Sequence, residues 1–285
     1  MKIIDLKVEF IDALSDLYPS QEVLSFFTIL VEKHLDLSRL EVALKPNHSV
    51  SLTVSKKIKN AIQRLRKFEP IQYIVNGVEF YNLKFYVNRN VFIPRPETEE
   101  LVFWIVDRHK NRDSKSRRIL DIGTGSGCIA ISLAFNLPDY KVSAFDISSE
   151  ALDVARKNAI INNVNVDFFK EDVLNCKKLP KKYDIIVSNP PYIIENEKDK
   201  MQSNVLKYEP DIALFVNNDD PLLFYRKIAQ LGQKHLISEG SIYFEINEYL
   251  GSELLILLKT EGYKEITLHK DIFGKYRMVK CRKDE

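Results

Sequence analysis

The chain predicts an α/β fold, in which a mostly parallel sheet has helices on both faces and a small helical domain precedes it. From Arg118 onward, short apolar runs alternate with longer runs whose apolar residues recur at helical spacing. The first part of the chain, to about Glu69, has helical spacing throughout. Strands that alternate with helices favour a parallel sheet, because each helix returns the chain to the edge where the next strand starts.

The composition is that of an ordinary globular protein. The chain has 285 residues, 45% of them hydrophobic and 29% charged, with a formal net charge of +2. This near-neutral charge argues against a dedicated nucleic-acid binder. Cys128, Cys176 and Cys281 are far apart and form no CxxC pair, so we expect neither a disulfide framework nor a metal site. We see no signal peptide or transmembrane run, and we therefore expect a cytoplasmic protein.

Residues 1–69 predict an N-terminal helical domain, whose segments are separated by Pro19-Ser20 and Pro46-Asn47. Two short β-rich runs, Tyr73–Val75 and Phe85–Val87, then predict a β-hairpin linker over residues 70–94. The apolar residues at helical spacing are Val8, Ile11, Leu14 and Leu17, then Val23, Phe26, Phe27, Leu30 and Val31, and finally Val54, Ile58, Ile62 and Leu65.

The remaining residues, 95–285, predict a catalytic domain. Pro96 is expected at the first position of a helix that buries Leu101, Val102, Trp104 and Ile105. The basic run at 109–118 predicts a solvated loop, with a phosphate-binding patch as the alternative. Beyond it we predict strands at 119–122, 141–145, 166–169, 183–187, 241–246, 266–268 and 277–279, and helices at 128–136, 149–162, 221–236 and 250–260.

A glycine-rich turn joins the first of these strands to its helix. Its sequence is Asp121-Ile122-Gly123-Thr124-Gly125-Ser126-Gly127, and glycines let a backbone turn tightly and approach a ligand closely. A dinucleotide-binding turn would need Gly or Ala at position 128, where this chain has Cys128. The Asp121 carboxylate would repel a pyrophosphate and attract an ammonium group. This preference indicates the methionine end of S-adenosylmethionine, and the alternative is a purely structural turn.

Two more acids follow predicted strands. Asp146 could accept hydrogen bonds from two ribose hydroxyls, or, since it stands just before Ser148-Ser149, it could be a helix cap. Asp172 could receive an adenine amino group while Val173 packs on the ring, or it could be a surface charge. The predicted cofactor-binding residues are Asp121, Gly123, Thr124, Gly125, Ser126, Gly127, Asp146, Asp172, Val173 and Asn189.

Asn189-Pro190-Pro191-Tyr192 directly follows the strand predicted at 183–187 and forms a stiff turn with a polar tip. The side-chain oxygen of Asn189 and the carbonyl of Pro190 can both accept hydrogen bonds from a substrate NH2 group. Tyr192 can stack on a flat group, and orientation in a dry pocket would then supply most of the rate. These four residues predict methyl transfer to a planar, poorly nucleophilic nitrogen. The alternative is a loop, since Asn-Pro and Pro-Pro often interrupt regular structure.

Together these motifs resemble class I S-adenosylmethionine-dependent methyltransferases of the Asn-Pro-Pro-Tyr type, which act on DNA, RNA or protein. Three further stretches, Glu69–Ile74, Gly77–Phe80 and Phe92–Glu99, are similar to the linker of the PrmC/HemK family. This family methylates the glutamine of the Gly-Gly-Gln motif in peptide chain release factors. The resemblance covers nearly the whole chain and also includes Tyr208-Glu209-Pro210.

The resemblance implies a Rossmann-like, mostly parallel seven-stranded sheet and the cofactor S-adenosyl-L-methionine. It implies methylation of the glutamine side-chain nitrogen, N5, with Asn189 to Tyr192 binding the glutamine. The segment from Arg95 to Glu99 would close beside the methionine end, and the N-terminal helices would contact the release factor. We expect a monomer with release factors as partners, and neither a nucleic-acid nor a membrane partner.

Two departures from the family pattern concern loops. Asn247 and Leu250 stand where many members have Gly and Gln, and 217–220 lacks the usual glycines. Two alternatives stay open. An N6-adenine methyltransferase acting on DNA or RNA would hold a flipped base with the same motif, but it should have a basic cleft and a target-recognition domain. A non-enzymatic binding module would have lost the glycines or Asn189, and both are present.

Overall fold

The computed structural model describes residues 1–110, 117–201 and 203–284. The chain forms two compact units, one of Met1–Asn76 with Gln202–Tyr208 and the other of Gly77–Met201 with Glu209–Glu285. The division into 1–69, 70–94 and 95–285 stays a prediction. Most of the basic run at 109–118 lies outside the described residues. None of the helices in the described ranges has the length and apolar character of a membrane-spanning segment.

The first unit is helical, as predicted. It contains α1 (Ile3–Leu14), α2 (Ser20–Leu35), α3 (Arg39–Leu44), α4 (Leu52–Leu65) and α5 (Ile71–Val75). In α2 all five predicted apolar residues are buried. In α1 the buried residues are Ile3, Leu6, Phe10 and Leu14. Of the predicted residues, Leu14 is therefore buried and Ile11 packs partly buried against the core, but Val8 is exposed. At 100° per residue Val8 points away from the face that holds these larger side chains.

The run Tyr73–Val75 is part of α5 and not of a strand, which corrects the prediction. Pro70 precedes the helix with φ −55°, and Asn76 ends it in the left-handed region at φ 52°. Inside this turn Ile71, Tyr73 and Val75 are all buried. Burial against the other helices therefore outweighs the preference of β-branched and aromatic residues for strands.

The second unit begins with a hairpin of β1 (Val78–Phe80) and β2 (Leu83–Phe85), which pair antiparallel. The two turn residues, Tyr81 and Asn82, have φ of 49° and 60°, as a two-residue hairpin turn of type I′ requires. A hairpin was expected here with strands at Tyr73–Val75 and Phe85–Val87, but its strands lie instead at Val78–Phe80 and Leu83–Phe85.

The rest of the unit alternates strands and helices as predicted, starting with α6 (Pro96–His109), in which Pro96 occupies the first turn. The elements that follow are β3 (Arg118–Ile122), α7 (Cys128–Asn136), β4 (Lys141–Asp146), α8 (Ser149–Ile161), β5 (Val166–Lys170), β6 (Tyr183–Ser188), β7 (Ile193–Ile194), α9 (Ser203–Tyr208, in the first unit), β8 (Phe215–Val216), α10 (Leu223–His235), β9 (Leu236–Glu245), α11 (Gly251–Thr260), β10 (Tyr263–Lys270) and β11 (Tyr276–Lys283).

Within the described residues the main sheet has seven strands in the order β10-β11-β9-β6-β3-β4-β5. The pairs from β9 to β5 are parallel, and β11 runs antiparallel to both of its neighbours. The predicted mostly parallel sheet is therefore confirmed. Along the chain, β4 and β5 are added on one side of β3, and the sheet then continues with β6 on the other side of β3. Ligands bind outside the carboxyl ends of strands at such a reversal point.

Each face of the sheet is covered by a separate apolar core. Ile185 belongs to the cluster that contains residues of α6 and α7, whereas its neighbour Ile186 belongs to the cluster with residues of α10 and α11. Successive side chains of a strand point to opposite faces, so one buried strand contributes to both cores. This packing on both sides fixes the ends of β3, β4 and β6.

Candidate active site

A cavity of about 270 Å³ lies at the carboxyl ends of β3, β4 and β6. The structure brings most of the predicted site residues to this cavity, and Asp121 and Gly127 are the two that do not line it. The predicted residues in its wall are Gly123, Thr124, Gly125, Ser126, Asp146, Asp172, Val173, Asn189, Pro190, Pro191 and Tyr192. Among the described residues, no group of His, Cys, Asp and Glu side chains could hold a metal ion.

The glycines of the turn after β3 have different surroundings and therefore different roles. Gly123 and Gly125 have φ of 72° and 53°, and a Cβ added to either would meet no atom within 4 Å. Gly127 has φ of 82°, but its added Cβ would come within 2.9 Å of Ile131 Cδ1 and 3.1 Å of Ala155 Cβ. The first two glycines thus leave open space beside the cavity, while Gly127 permits close packing behind it.

Asp121 lies behind the turn and is fully buried. Its Oδ2 accepts a hydrogen bond of 2.6 Å from the Thr124 hydroxyl, and its Oδ1 has no hydrogen-bond partner among the described residues. Burial raises the pKa of this carboxyl to about 7. Asp121 therefore braces the turn from inside, and its predicted attraction for a cofactor ammonium stays a prediction.

Asp146 connects the end of β4 to the glycine turn. Its Oδ2 accepts a 2.8 Å hydrogen bond from the Gly125 amide, and its Oδ1 accepts one of 3.0 Å from the Ser148 amide. The N-cap of α8 is Ser148 itself, whose hydroxyl accepts from the Ala151 amide. The alternative of Asp146 as the helix cap is therefore not what the structure shows. Burial raises the pKa of Asp146 despite its two amide donors.

Asp172 follows β5 and stabilises its own loop. Its Oδ1 accepts from the Leu174 amide at 2.9 Å, and its Oδ2 accepts from Asn175 Nδ2 at 2.6 Å. Val173 packs partly buried against the apolar core on one face of the sheet. Asp172 is thus held in place by local contacts while it and Val173 line the cavity.

The Asn-Pro-Pro-Tyr turn is held by a buried carboxylate that the sequence did not single out. Glu245, at the end of β9, is 2% exposed, and burial raises its pKa. Its Oε2 accepts a 2.6 Å hydrogen bond from the Thr98 hydroxyl, and its Oε1 accepts one of 3.1 Å from the Tyr192 hydroxyl. Asn189 Nδ2 in turn donates to Thr98 Oγ1 at 3.4 Å. Both ends of the turn are therefore linked to one acid.

Asn247, one of the departures from the family pattern, also supports this turn. Its Nδ2 donates to the main-chain oxygen of Tyr192 at 3.3 Å and to Glu197 Oε2 at 3.1 Å. Its side-chain oxygen accepts from the Tyr249 amide at 3.0 Å. The asparagine thereby connects the segment after β9 to the segment after the turn.

Another part of the cavity wall depends on a second acid that sequence reasoning did not assign. Glu209 Oε1 accepts a hydrogen bond of 2.5 Å from Arg95 Nη2, and its Oε2 accepts one of 3.2 Å from the Ile93 amide. The Arg95 guanidinium lies 4.5 Å from the centroid of the Phe92 ring. This ion pair connects the loop that contains Phe92 to the segment that contains Ile212, and both residues line the cavity.

Comparisons with known proteins agree with the fold. The family model described as Methyltransferase small domain matches residues 104–208, and the PrmC N-terminal domain model matches residues 8–75. A release factor glutamine methyltransferase of Flavobacterium psychrophilum is 46% identical over 98% of this chain and 99% of its own. One of Bacteroides thetaiotaomicron is 46% identical over 94% of this chain and 95% of its own.

Solved structures are similar in fold alone. A methyltransferase of Pyrococcus furiosus is 20% identical with a TM-score of 0.52, covering 80% of this chain and 100% of its own. A Thermus thermophilus 16S rRNA methyltransferase, solved with AdoMet and guanosine, is 18% identical with a TM-score of 0.53, covering 73% and 49%. The sheet order and these matches define a class I S-adenosylmethionine-dependent methyltransferase. Within that class, the chain belongs to the release factor glutamine methyltransferase family.

Proposed function

We propose that this protein transfers the methyl group of S-adenosyl-L-methionine to the side-chain nitrogen, N5, of the glutamine in the Gly-Gly-Gln motif of peptide chain release factors. The observation that supports this most directly is that the Asn189–Tyr192 turn and the glycine turn line one cavity. The two relatives at 46% identity are named release factor glutamine methyltransferases and match over nearly their whole length. Because release factors act in translation, we expect a cytoplasmic enzyme. We also expect it to work as a monomer.

The residues on the β3–β5 side of the cavity fit the cofactor. The open positions beside Gly123 and Gly125 allow a ligand to approach the backbone closely. The Asp146 oxygens each accept one amide hydrogen bond, which leaves further lone pairs for two ribose hydroxyls. Val173 offers an apolar surface for the adenine ring, beside the carboxylate of Asp172. When bound, the cofactor supplies an electrophilic methyl group on a sulfonium sulfur.

The residues after β6 fit a carboxamide. A carboxamide nitrogen shares its lone pair with the carbonyl, so its attack on a methyl group requires help. The Asn189 side-chain oxygen and the Pro190 carbonyl oxygen accept the two amide hydrogens and so return electron density to nitrogen. The Tyr192 ring stacks on the flat group, and the hydrogen bond from its hydroxyl to Glu245 fixes the ring. Apolar wall residues such as Phe92, Ile212 and Leu214 limit the access of water.

The charge of the cavity favours a protein substrate over a nucleic acid. Among the described residues in its wall, the charged ones are Asp146, Glu171 and Asp172, which are all acidic. A polyanionic strand is bound through Lys and Arg contacts to its phosphates. The N6-adenine methyltransferase alternative should therefore show basic residues that are free to bind phosphates. No Lys or Arg lines the described wall, and Arg95, which lies beside Phe92, is paired with Glu209.

The direct test uses a release factor purified from cells that lack this methyltransferase activity. The methyltransferase is incubated with this release factor and with S-adenosylmethionine that carries a deuterated methyl group. The Gly-Gly-Gln peptide of the release factor is then sequenced by mass spectrometry. We expect one deuterated methyl group on the glutamine side chain. Asn189→Ala should abolish the product while cofactor affinity stays within about tenfold.

Three results would contradict the proposed function. One is methylation at a different residue of the release factor. Another is transfer to adenine in DNA or RNA oligonucleotides under the same conditions and not to the factor. The third is near-normal product from Asn189→Ala.

A further inference from the structure

We infer that Glu245 acts through Thr98 to hold the Asn189 side-chain amide with its oxygen toward the cavity, so that the site selects an NH2 group and rejects a carboxylate. Glu245 and Thr98 are positioning residues in this account, because they act on the substrate through Asn189. The inference rests on the proposed function, since it explains how the same site distinguishes glutamine from glutamate.

The three residues form a continuous chain of hydrogen bonds. The Thr98 hydroxyl donates to Glu245 Oε2 at 2.6 Å, and Asn189 Nδ2 donates to Thr98 Oγ1 at 3.4 Å. Thr98 and Glu245 are both 2% exposed, so water does not compete for these positions. Thr98 lies in the first turn of α6, Glu245 ends β9 and Asn189 follows β6, so three separate elements meet here.

The direction of the chain follows from the carboxylate. In its ionised form Glu245 accepts hydrogen bonds and cannot donate one, and because burial raises the pKa of this carboxyl, the inference concerns the pH range above that pKa. The hydroxyl of Thr98 has a single hydrogen, and the 2.6 Å contact with Glu245 takes it. Toward Asn189 the hydroxyl therefore presents lone pairs alone, and these require the NH2 end of the amide. Because the two ends of an amide have nearly the same shape, this contact decides which end faces the substrate.

The carboxylate is itself well held. Its Oε1 accepts from the Tyr192 hydroxyl at 3.1 Å, and the main-chain oxygen of Glu245 accepts from the Tyr225 hydroxyl at 3.1 Å. Burial and the neighbouring Glu245 raise the pKa of Tyr192, which keeps this phenol protonated as a donor. One acid thus sets the orientation of two residues that contact the substrate, Asn189 and Tyr192.

The consequence for selectivity is direct. With its oxygen toward the cavity, Asn189 joins the Pro190 carbonyl as a second acceptor. A substrate NH2 group satisfies both acceptors with its two hydrogens, whereas a carboxylate would place oxygen against oxygen. Sites that hydrogen-bond one group strongly reject an analogue that leaves their own polar atoms unpaired.

Three conservative variants separate this role from simple packing. Thr98→Val keeps the shape and loses the hydroxyl, while Thr98→Ser keeps the hydroxyl and loses a methyl group. Glu245→Gln keeps the shape but can donate to Thr98, which allows the hydroxyl to donate to Asn189 and reverse the amide. We expect Thr98→Val and Glu245→Gln to lower kcat on the release factor about a hundredfold. Thr98→Ser should stay within about threefold of the unaltered protein.

A second measurement does not depend on activity. The side-chain NH2 signals of Asn189 can be assigned in 15N NMR spectra by their loss in Asn189→Asp. In the unaltered protein and in Thr98→Ser, hydrogen exchange at these protons should be slower than in Thr98→Val, because the NH2 group is hydrogen-bonded. Cofactor affinity, measured by calorimetry, should change by less than about threefold in all Thr98 variants, which shows that they are folded.

The outcomes distinguish the inference from the proposed function. If the unaltered protein methylates the release factor but Thr98→Val is equally active, the positioning role is wrong. If Thr98→Ser is as poor as Thr98→Val, Thr98 acts by packing and the role is wrong again. If the unaltered protein does not methylate the factor, the proposed function fails. Independently of that result, equal hydrogen exchange at the Asn189 NH2 group in Thr98→Val and in the unaltered protein would overturn the inference.

Discussion

Replacing Asp121 with asparagine should make the catalytic unit more stable at alkaline pH and have less effect at acidic pH. Asp121 is fully buried, and one of its oxygens has no hydrogen-bond partner among the described residues. The other accepts from the Thr124 hydroxyl at 2.6 Å, a hydrogen bond that the asparagine oxygen can replace. The substitution therefore removes a buried charge and preserves the contact that braces the turn.

The size of the effect follows from the pKa, which burial raises from 3.8 to about 7. The folded protein binds this proton more tightly than the unfolded chain does. Asp121 thus contributes stability that is complete below its unfolded pKa and is lost as the pH rises through about 7. The rise of this pKa corresponds to about 4 kcal/mol of stability, of which roughly two thirds is lost between pH 5 and pH 8.

Urea unfolding at pH 5 and pH 8 measures this difference. The single tryptophan, Trp104, packs edge-on against Tyr243 in the same unit as Asp121, so its fluorescence follows the unfolding of that unit. The free energy of unfolding of Asp121→Asn minus that of the unaltered protein should be larger at pH 8 than at pH 5 by about 2–3 kcal/mol. The same difference at both pH values would refute the assignment of a raised pKa to Asp121.

Three further substitutions test other parts of the site. Asp146→Ala should weaken cofactor binding, because it removes the acceptors at the end of β4, and unchanged affinity in isothermal titration would remove Asp146 from the cofactor site. Gly127→Ala should lower the free energy of unfolding by about 1–3 kcal/mol, because alanine is strained at φ 82° and its Cβ meets Ile131 at 2.9 Å; urea unfolding checks this. Asn247→Ala removes the hydrogen bond to the Tyr192 carbonyl and should lower kcat by about threefold to tenfold, with cofactor affinity unchanged; steady-state assays that find kcat unaltered would show that this contact is dispensable.

The alternation of strands and helices in the second unit could be predicted because strong local patterns set it. Gly123, Asp146 and Asn189 could also be placed together, since residues that follow parallel strands meet at one edge of the sheet. Local patterns failed where distant contacts decide the structure. Tyr73–Val75 looks like a strand but is helical, because the N-terminal core buries α5.

The two buried acids of the site could not be found in the same way. Glu245 meets Thr98 across 147 positions of sequence, and Glu209 meets Arg95 across 114. Contacts at such large sequence separations produce no periodic pattern in the sequence. Each acid, seen alone in the sequence, resembles a surface charge. Glu209 appeared in the sequence as part of a family motif, without a role. The structure shows that it connects two walls of the cavity.

The Asn-Pro-Pro-Tyr turn does not by itself choose between glutamine and adenine, since both present a planar NH2 group. What favours the protein substrate is the combination of an acidic cavity wall with an N-terminal unit matched by the PrmC N-terminal domain model. A test of the substrate and a test of the turn are therefore separate experiments. The first is the mass spectrometry described above.

The most direct test of the turn is a crystal structure with S-adenosylhomocysteine and a peptide that contains Gly-Gly-Gln. We expect the glutamine side-chain nitrogen within about 3 Å of both the Asn189 side-chain oxygen and the Pro190 carbonyl oxygen, facing the cofactor sulfur. The Tyr192 ring should lie against the carboxamide plane. A glutamine bound away from these two oxygens, or with its carbonyl oxygen turned toward Asn189, would contradict the account.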